Sequence, residues 1–184
     1  MRKINKFGLF LSAFVPLFLL LILKELIEII NQNWSFNFLN TFLLILLVIF
    51  SFYGILTLFF TIKKLKKNIG KIVKVISKQN TTDQHFLGYF SLFVLFAVSF
   101  EIEMYSMAFI FLVVLVLIGI VYIKNDMYFI NPLLNVFGYS FYEIEYQENG
   151  NSVKANAFFK GRLEINKEYY LFDNFSNLFF LKKL

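Results

Sequence analysis

Four apolar stretches occupy the first two thirds of the chain and predict four membrane-spanning helices. A bilayer core requires about 20 apolar residues at a rise of about 1.5 Å each. The first two stretches have this length, whereas the third and fourth are shorter and follow each other closely, which predicts a tight helical hairpin. The predicted spans are residues 7–30, 38–62, 86–103 and 106–123.

The loop between the second and third spans carries apolar and basic positions at helical spacing. Ile62 and Ile76 belong to its apolar side, and Lys67 and Lys74 to the opposite side. This pattern predicts a basic amphipathic cytoplasmic helix over residues 63–78. Three roles suit such a helix: contact with anionic lipid, docking of an acidic partner and attraction of nucleic acid through its phosphates. The residues expected to make lipid or partner contacts are Lys63, Lys64, Lys66, Lys67, Lys71, Lys74 and Lys78.

The C-terminal part of the chain changes from helical to strand patterns. Asn131 and Pro132 end the helical region because proline cannot continue a helical hydrogen-bond ladder. Beyond them, apolar and polar residues alternate on both sides of Asn149-Gly150, the dipeptide most typical of a hairpin turn. We also expect Gly138 to adopt a backbone conformation that other residues avoid. The predicted strands cover residues 142–146, 153–159, 169–172 and 178–181.

These elements predict two successive domains. Residues 1–124 form the transmembrane domain, and residues 125–184 form a cytoplasmic β-rich tail with about four antiparallel strands. The predicted fold class is an α-helical integral membrane protein with four transmembrane helices, N and C termini cytoplasmic, plus a small C-terminal antiparallel β module.

Basic charge is distributed unevenly along the chain and sets the orientation of the spans. All Lys and Arg residues except Lys24 fall before the first span, between the second and third, or after the fourth. Because such charges stay on the cytoplasmic side, we expect a multi-pass protein of the bacterial inner membrane with both termini inside. The acidic residues left for the outer face are Glu25, Glu28, Glu101 and Glu103.

Composition narrows the chemistry. Hydrophobic residues make up 59% of the chain, which is unlike an ordinary soluble domain. The chain has no cysteine and one histidine, which excludes disulfides, thiol catalysis and a histidine cluster for a metal. The sequence contains none of the common catalytic or nucleotide-binding motifs. We therefore expect neither enzymatic activity nor a cofactor.

Two polar features within the predicted spans each have two interpretations. Ser51, Gly54 and Thr57 form a small-residue stripe that suits close helix packing within the chain, which we favour, or between subunits. Glu101 and Glu103 suit a cation pore, because rings of carboxylates select cations. Residues two apart on a helix point about 200° away from each other, so an outer turn between the third and fourth spans is the simpler place for both.

The junction after the fourth span resembles a known family. The run from Asn131 to Glu143, NPLLNVFGYSFYE, is similar to the join between the last span and the cytoplasmic tail in the KwaA family, the membrane subunits of the Kiwa anti-phage defence system. The similar length, basic N terminus, four spans and short β-rich tail agree with this resemblance. The family-like positions of the join are Asn131, Pro132, Gly138, Tyr139 and Tyr142.

The resemblance implies a membrane sensor and anchor subunit of an anti-phage complex. Such a subunit forms a homo-oligomer, a tetramer, in the inner membrane and responds to phage attachment or injection at the envelope. It holds a KwaB-like cytoplasmic DNA-binding effector, so no direct contact of this chain with nucleic acid is expected. The residues alone leave two other functions open, a pore-forming or permeability-altering protein and an accessory subunit of a transporter or secretion complex.

Overall fold

A computed structural model describes residues 3–31, 38–65, 70–99, 105–125, 127, 130–148, 151–175 and 178–184. The helices within these ranges are α1 (Lys3–Ile30), α2 (Phe38–Leu65), α3 (Thr82–Ser99), α4 (Tyr105–Lys124) and α5 (Pro132–Val136). The strands are β1 (Lys71–Asn80), β2 (Tyr139–Glu148), β3 (Asn151–Lys160), β4 (Glu168–Phe175) and β5 (Leu178–Lys183).

The chain divides into two compact units, and the division differs from the predicted one. A helical unit comprises residues 1–58 and 88–127, and a barrel unit comprises residues 59–87 and 128–184. The predicted boundary at residue 124 left the loop after α2 with the spans. In the structure that loop contributes β1 to the barrel unit, because β1 pairs with C-terminal strands.

In the helical unit, α1 is the central helix. In the most apolar window of α1, 56% of the residues are buried, compared with 28% for each of α2 and α4. Aromatic contacts join α1 to each of the other long helices: Phe18 to Phe50 of α2, Phe14 to Phe93 of α3, and Phe10 to Tyr122 of α4. From Phe7 to Leu23 the sequence of α1 is apolar nearly all round, as expected of a helix surrounded by other helices.

Small residues allow α1 and α2 to approach closely. A Cβ atom on Gly54 would lie 2.9 Å from the Ser12 backbone nitrogen, and one on Gly8 would clash with the Thr57 side chain. The stripe of Ser51, Gly54 and Thr57 therefore packs within the chain, as favoured from the sequence, with Ser51 and Gly54 buried.

Three of the described helices are long and apolar enough to cross a membrane: Lys6–Ile30, Asn40–Lys64 and Ser106–Lys124. The apolar part of α3 is shorter and covers Leu87–Ser99. Many large apolar side chains of α2 and α4 are exposed in the single chain, which is the pattern of helices that face lipid or other subunits. The protein is thus a membrane protein by the length and composition of these helices.

The barrel unit is a closed sheet with the strand order β1-β2-β3-β5-β4. All neighbouring strands are antiparallel except β3 and β5, which are parallel. Its interior alternates large and small side chains, which suits a barrel of this size. The buried interior residues include Val73, Val75, Tyr142, Ile144, Tyr146, Ala155, Ala157, Phe159, Leu163, Tyr169, Leu171 and Leu181.

The predicted hairpin is confirmed in its strands. β2 and β3 pair without a break from Tyr139 opposite Lys160 to Glu148 opposite Asn151; the turn residues Asn149 and Gly150 themselves lie outside the described residues. The predicted second pair is also present as antiparallel β4 and β5. The prediction of about four strands, all antiparallel, is wrong, because β1 adds a fifth strand and β5 joins β3 in parallel.

The predicted amphipathic helix over residues 63–78 is wrong from Lys71 onward, and residues 66–69 lie outside the described residues. From Lys71 the chain is a strand in which buried Val73 and Val75 alternate with exposed residues. The β-branched residues Ile72, Val73, Val75 and Ile76 fit helical spacing as well as a strand, and their branched side chains favour a strand once a sheet is present to pair with. Pairing with β2 and β4 therefore decides the structure.

Candidate partner interface

The outer side of β1 combines exposed apolar and basic side chains. Ile72 is 56% exposed and Ile76 is 39% exposed, and the exposed Lys74 lies between them. Ile76 follows the buried Val75 on the outer side, as strand alternation requires, and a β-bulge between Val75 and Ser77 leaves Ser77 exposed as well. We call Ile72, Lys74 and Ile76 the β1 strip.

Contacts with β2 and with the segment before β4 fix the conformation of the β1 strip. Lys71 forms an ion pair of 2.7 Å with Glu148 of β2. At the bulge, the Val75 carbonyl accepts a hydrogen bond from the Asn166 N–H at 2.8 Å, and the Val75 N–H donates to the Lys167 carbonyl at 3.2 Å. Because an exposed ion pair adds little stability, the backbone bonds are the stronger constraint on the conformation of the strip.

The lysines predicted to share one helical face are separated in the structure. Lys63 and Lys64 are exposed in the last turn of α2, and Lys66 and Lys67 lie outside the described residues. Along β1, Lys71 lies at one end, Lys74 points outward, and Lys78 is half-buried with its Nζ donating to the Leu163 carbonyl. The bulge causes this last change, because it puts Lys78 opposite the inward-facing Ile144.

A short hydrogen-bonded connection fixes the start of α3 to β2. The Thr82 Oγ1 accepts a hydrogen bond from the Phe141 N–H at 2.7 Å and donates to the Phe141 carbonyl at 3.2 Å. The Thr81 N–H also donates to the Phe141 carbonyl at 3.2 Å. Asn80 completes the connection by accepting from the Thr82 N–H at 3.0 Å, a helix-capping contact. We call this connection the Thr82 clamp.

The join residues begin the barrel rather than form a separate site. The Asn131 side chain caps α5 by accepting from the Leu133 N–H at 3.1 Å, and Pro132 occupies the first turn, where its missing N–H costs nothing. Gly138 has a φ of +80°, which confirms the expected unusual backbone conformation. Tyr139 lies on the outer face of the barrel, whereas Tyr142 is buried in its interior.

One predicted outer-face carboxylate is buried. Glu25 is only 2% exposed, whereas Glu28 is half-buried. Glu101 and Glu103 lie outside the described residues. The signal was present in the sequence, because Glu25 follows the buried Phe18 and Leu21 at helical spacing of seven and four and so falls on the same side of α1. A buried ionisable residue in a spanning helix is a marker of a functional or strongly structural position.

The outer face of β1, β2 and β3 forms a shallow polar groove. Glu143 and Glu145 line it together with Lys154 and Asn156, and none of its lining residues is aromatic. OB-fold barrels, which also have five strands, bind oligonucleotides over their second and third strands, and single-stranded nucleic acid is held by aromatic stacking in a positively charged groove. This groove has neither feature.

The loop from β3 to β4 carries a local ion pair. Lys167 lies 2.6 Å from Glu164, and its hydrogen bond and charge lower the pKa of the Glu164 carboxyl. The same contact raises the pKa of Lys167. Elsewhere on the outer face, burial raises the pKa of Tyr139. Among the described residues, no group of three or more His, Asp or Glu side chains is placed to hold a metal ion.

Comparison with known proteins covers both units of the chain. The family model described as anti-phage protein KwaA matches residues 5–180. The Kiwa protein KwaA of Escherichia coli O55:H7 (strain RM12579 / EPEC) is 26% identical, with 93% of each chain covered. No solved structure matches the chain.

Proposed function

Because the chain belongs to the KwaA anti-phage family, we propose that it is the membrane sensor and anchor subunit of a Kiwa-type defence complex. It responds to phage attachment or injection at the envelope and holds a KwaB-like cytoplasmic effector that binds DNA. One observation carries the proposal beyond family membership: β1, a strand of the barrel, is inserted directly between α2 and α3.

The closed barrel supports four spans rather than three. β1 precedes α3, and its partners β2 and β4 follow α4. Strands of one barrel lie on the same side of a membrane, so α3 and α4 together make an even number of crossings. Since α4 has the length and hydropathy of a span, α3 crosses as well, and two further spans in α1 and α2 leave both termini on the barrel side. Basic residues on that side make it cytoplasmic.

The Thr82 clamp supports a route from membrane to cytoplasm. It joins the first residues of α3 to β2 through three hydrogen bonds at Phe141, with a single residue, Thr81, between β1 and α3. A shift or rotation of α3 is therefore transmitted to β2 without a flexible linker. The stimulus then acts by shifting the population between two arrangements of the helices that differ in free energy.

The β1 strip is the proposed effector dock. It combines exposed apolar residues with a lysine, a composition that suits a partner surface with apolar and acidic groups. The neighbouring polar groove lacks aromatic side chains and contains Glu143 and Glu145, which favours contact with a protein effector over direct contact with DNA.

Exposed apolar faces support a homo-oligomer, with a tetramer as the expected state from the family resemblance. In the most apolar windows of α2 and α4, only 28% of the residues are buried within one chain. Packing of these faces against other copies would remove part of that surface from lipid. Native mass spectrometry of the purified protein tests the subunit number directly, and a monomer at all concentrations would contradict it.

Substitutions that reverse the charge and remove the apolar character of the β1 strip test whether it is the effector dock. In cells that carry the complete defence locus, the double variant Ile72→Asn and Lys74→Glu should lose co-purification of the effector and protection against phage. Lys154→Glu is the matched control, because Lys154 is an exposed lysine on the outer face of β3. Membrane levels and protease resistance of the barrel must match the wild type. Unchanged co-purification by a folded double variant would remove the strip as the dock.

Deletion of the gene tests the proposed defence role itself, independently of the β1 strip. Deletion of this gene alone should abolish protection in a plating assay with a panel of unrelated phages, with the effector still expressed. Full protection without this chain would contradict the proposed sensor and anchor role, whatever the strip variants show.

A further inference from the structure

A second region of the barrel has the composition of an anion site. A cavity of about 290 Å³ is lined by residues of four barrel strands, including the interior residues Phe159 and Leu181, and by Ile62 in the last turn of α2. Its basic lining comes from Lys160, Lys182 and Lys183, and no acidic residue lines it. In the described part of the chain, none of these three lysines forms an ion pair. Lys183 also lowers the pKa of the Glu164 carboxyl through its charge, so the positive charge offered to a ligand comes mainly from Lys160 and Lys182.

The rest of the lining is apolar and aromatic. Phe172 and Phe180 contribute rings, and Tyr139 packs edge-on against Phe180 with 5.9 Å between ring centroids. The Lys160 Nζ lies 5.9 Å from the centre of the Tyr139 ring, within the range of a cation–π contact. The Tyr139 hydroxyl is protonated at neutral pH, as tyrosine ordinarily is, and burial raises its pKa further; it can therefore donate a hydrogen bond. The cavity thus offers positive charge, a donor and apolar surface together.

One lining residue of the cavity belongs to α2 and indicates that the cavity lies near the membrane surface. Ile62 lines it, and Ile62 is the last residue of α2 before the exposed pair Lys63 and Lys64. In the proposed orientation α2 leaves the bilayer on the cytoplasmic side at this pair, at the depth where lysines meet lipid phosphates. A ligand that is anionic at one end and apolar at the other matches both the lining and the depth.

We propose that this cavity binds an anionic phospholipid of the cytoplasmic leaflet, with its headgroup phosphate at Lys160, Lys182 and Lys183. The Tyr139 hydroxyl faces the headgroup, and the first part of the acyl chains lies along Ile62, Phe172 and Phe180. The inference rests on the proposed orientation of α2, and it holds whether or not the β1 strip docks an effector.

Lipid titration tests the site with the full-length protein in a neutral detergent. Short-chain phosphatidylglycerol is added, and bound lipid is counted by native mass spectrometry, with phosphatidylcholine of the same chain length as the neutral comparison. The triple variant Lys160→Gln, Lys182→Gln, Lys183→Gln should bind phosphatidylglycerol about 100-fold more weakly, at about fivefold per lysine. The triple variant Lys154→Gln, Arg162→Gln, Lys167→Gln replaces three exposed basic residues outside the cavity, removes the same charge from the barrel unit and should bind as the wild type does.

Three results would overturn the proposal. The first is equal loss of phosphatidylglycerol binding in both triple variants, which would mean nonspecific attraction by net charge. The second is equal binding of phosphatidylcholine. The third is displacement of the lipid by inorganic phosphate at a similar concentration, which would identify a site for a soluble anion. Lys182→Glu alone serves if the triple variant does not fold, and it should lower phosphatidylglycerol binding by more than fivefold.

Discussion

The Thr82 clamp gives the most direct test of coupling between α3 and the barrel. Thr82→Val keeps the shape of the side chain and removes the hydroxyl that both accepts from and donates to the Phe141 backbone. Thr82→Ser keeps the hydroxyl and loses only a methyl group, so it is the matched control. The Thr81 backbone hydrogen bond to Phe141 remains in both variants.

The size of the effect follows from the burial of Phe141. Phe141 is 3% exposed. Water therefore cannot easily replace the Thr82 hydroxyl as the acceptor for the Phe141 N–H. Removing one partner of a buried polar group costs about 1–3 kcal/mol. This free energy corresponds to about a 5- to 150-fold increase in opening of the local structure. The stability of the helical unit should change little, because the lost bonds lie within the barrel unit.

Hydrogen exchange followed by mass spectrometry measures this opening. Peptides from the start of β2 should exchange about 5- to 150-fold faster in Thr82→Val than in Thr82→Ser, whereas peptides from the centre of α1 should not change. In plating assays, protection should fall in Thr82→Val with the effector still bound. Unchanged exchange in β2 would refute the energetic reasoning. Faster exchange with full protection would refute the proposed route of transmission while leaving the hydrogen bonds as described.

Three further predictions concern packing, backbone conformation and buried charge. Gly54→Ala should lower the melting temperature in detergent, because the new Cβ would lie 2.9 Å from the Ser12 backbone and overpacking outweighs a helix-propensity gain of about 1 kcal/mol. Gly88→Ala should not lower the melting temperature, because a Cβ there has nothing within 4 Å. Equal shifts in the two variants would contradict the packing account. Gly138→Ala should cost about 1–2 kcal/mol in denaturant unfolding of the barrel, since φ is +80°; an unchanged midpoint would show that this backbone relaxes freely. Glu25→Lys should lose the folded peak in size-exclusion chromatography because Glu25 is buried, whereas Glu28→Lys should keep it, and survival of both would contradict the burial of Glu25.

Local sequence patterns predicted the elements whose partners are close in the chain. The β2 and β3 hairpin follows from alternation around a two-residue turn, and α1, α2 and α4 follow from the length of their apolar runs. The unusual conformation of Gly138 followed from its place between a short helix and a strand. In each case the information lies within a few residues of the element itself.

Elements that depend on distant partners were not predictable in this way. β1 was assigned to a helix because Ile72, Val73 and Ile76 satisfy helical spacing, and nothing nearby indicates that β2 and β4 will pair with it. The parallel contact of β3 with β5 has the same cause, since parallel neighbours are joined by long connections and leave no turn signal. The lysine and aromatic cavity combines residues from β2, β3, β4 and β5, so its composition emerges only after the barrel closes.

Insertion of β1 between α2 and α3 gives the barrel unit two separate connections to helices. On one side, the last turn of α2 contributes Ile62 to the proposed lipid cavity. On the other side, α3 starts at the Thr82 clamp. β1 lies between these attachments in the chain and carries the exposed Ile72, Lys74 and Ile76 on its outer face. Under the proposed function, a disturbance of the bilayer that moves α2 or α3 would reach β1 as the strand between them in the chain. The strand that presents the proposed dock is thus also the strand that follows one membrane helix and precedes α3 without another element between them.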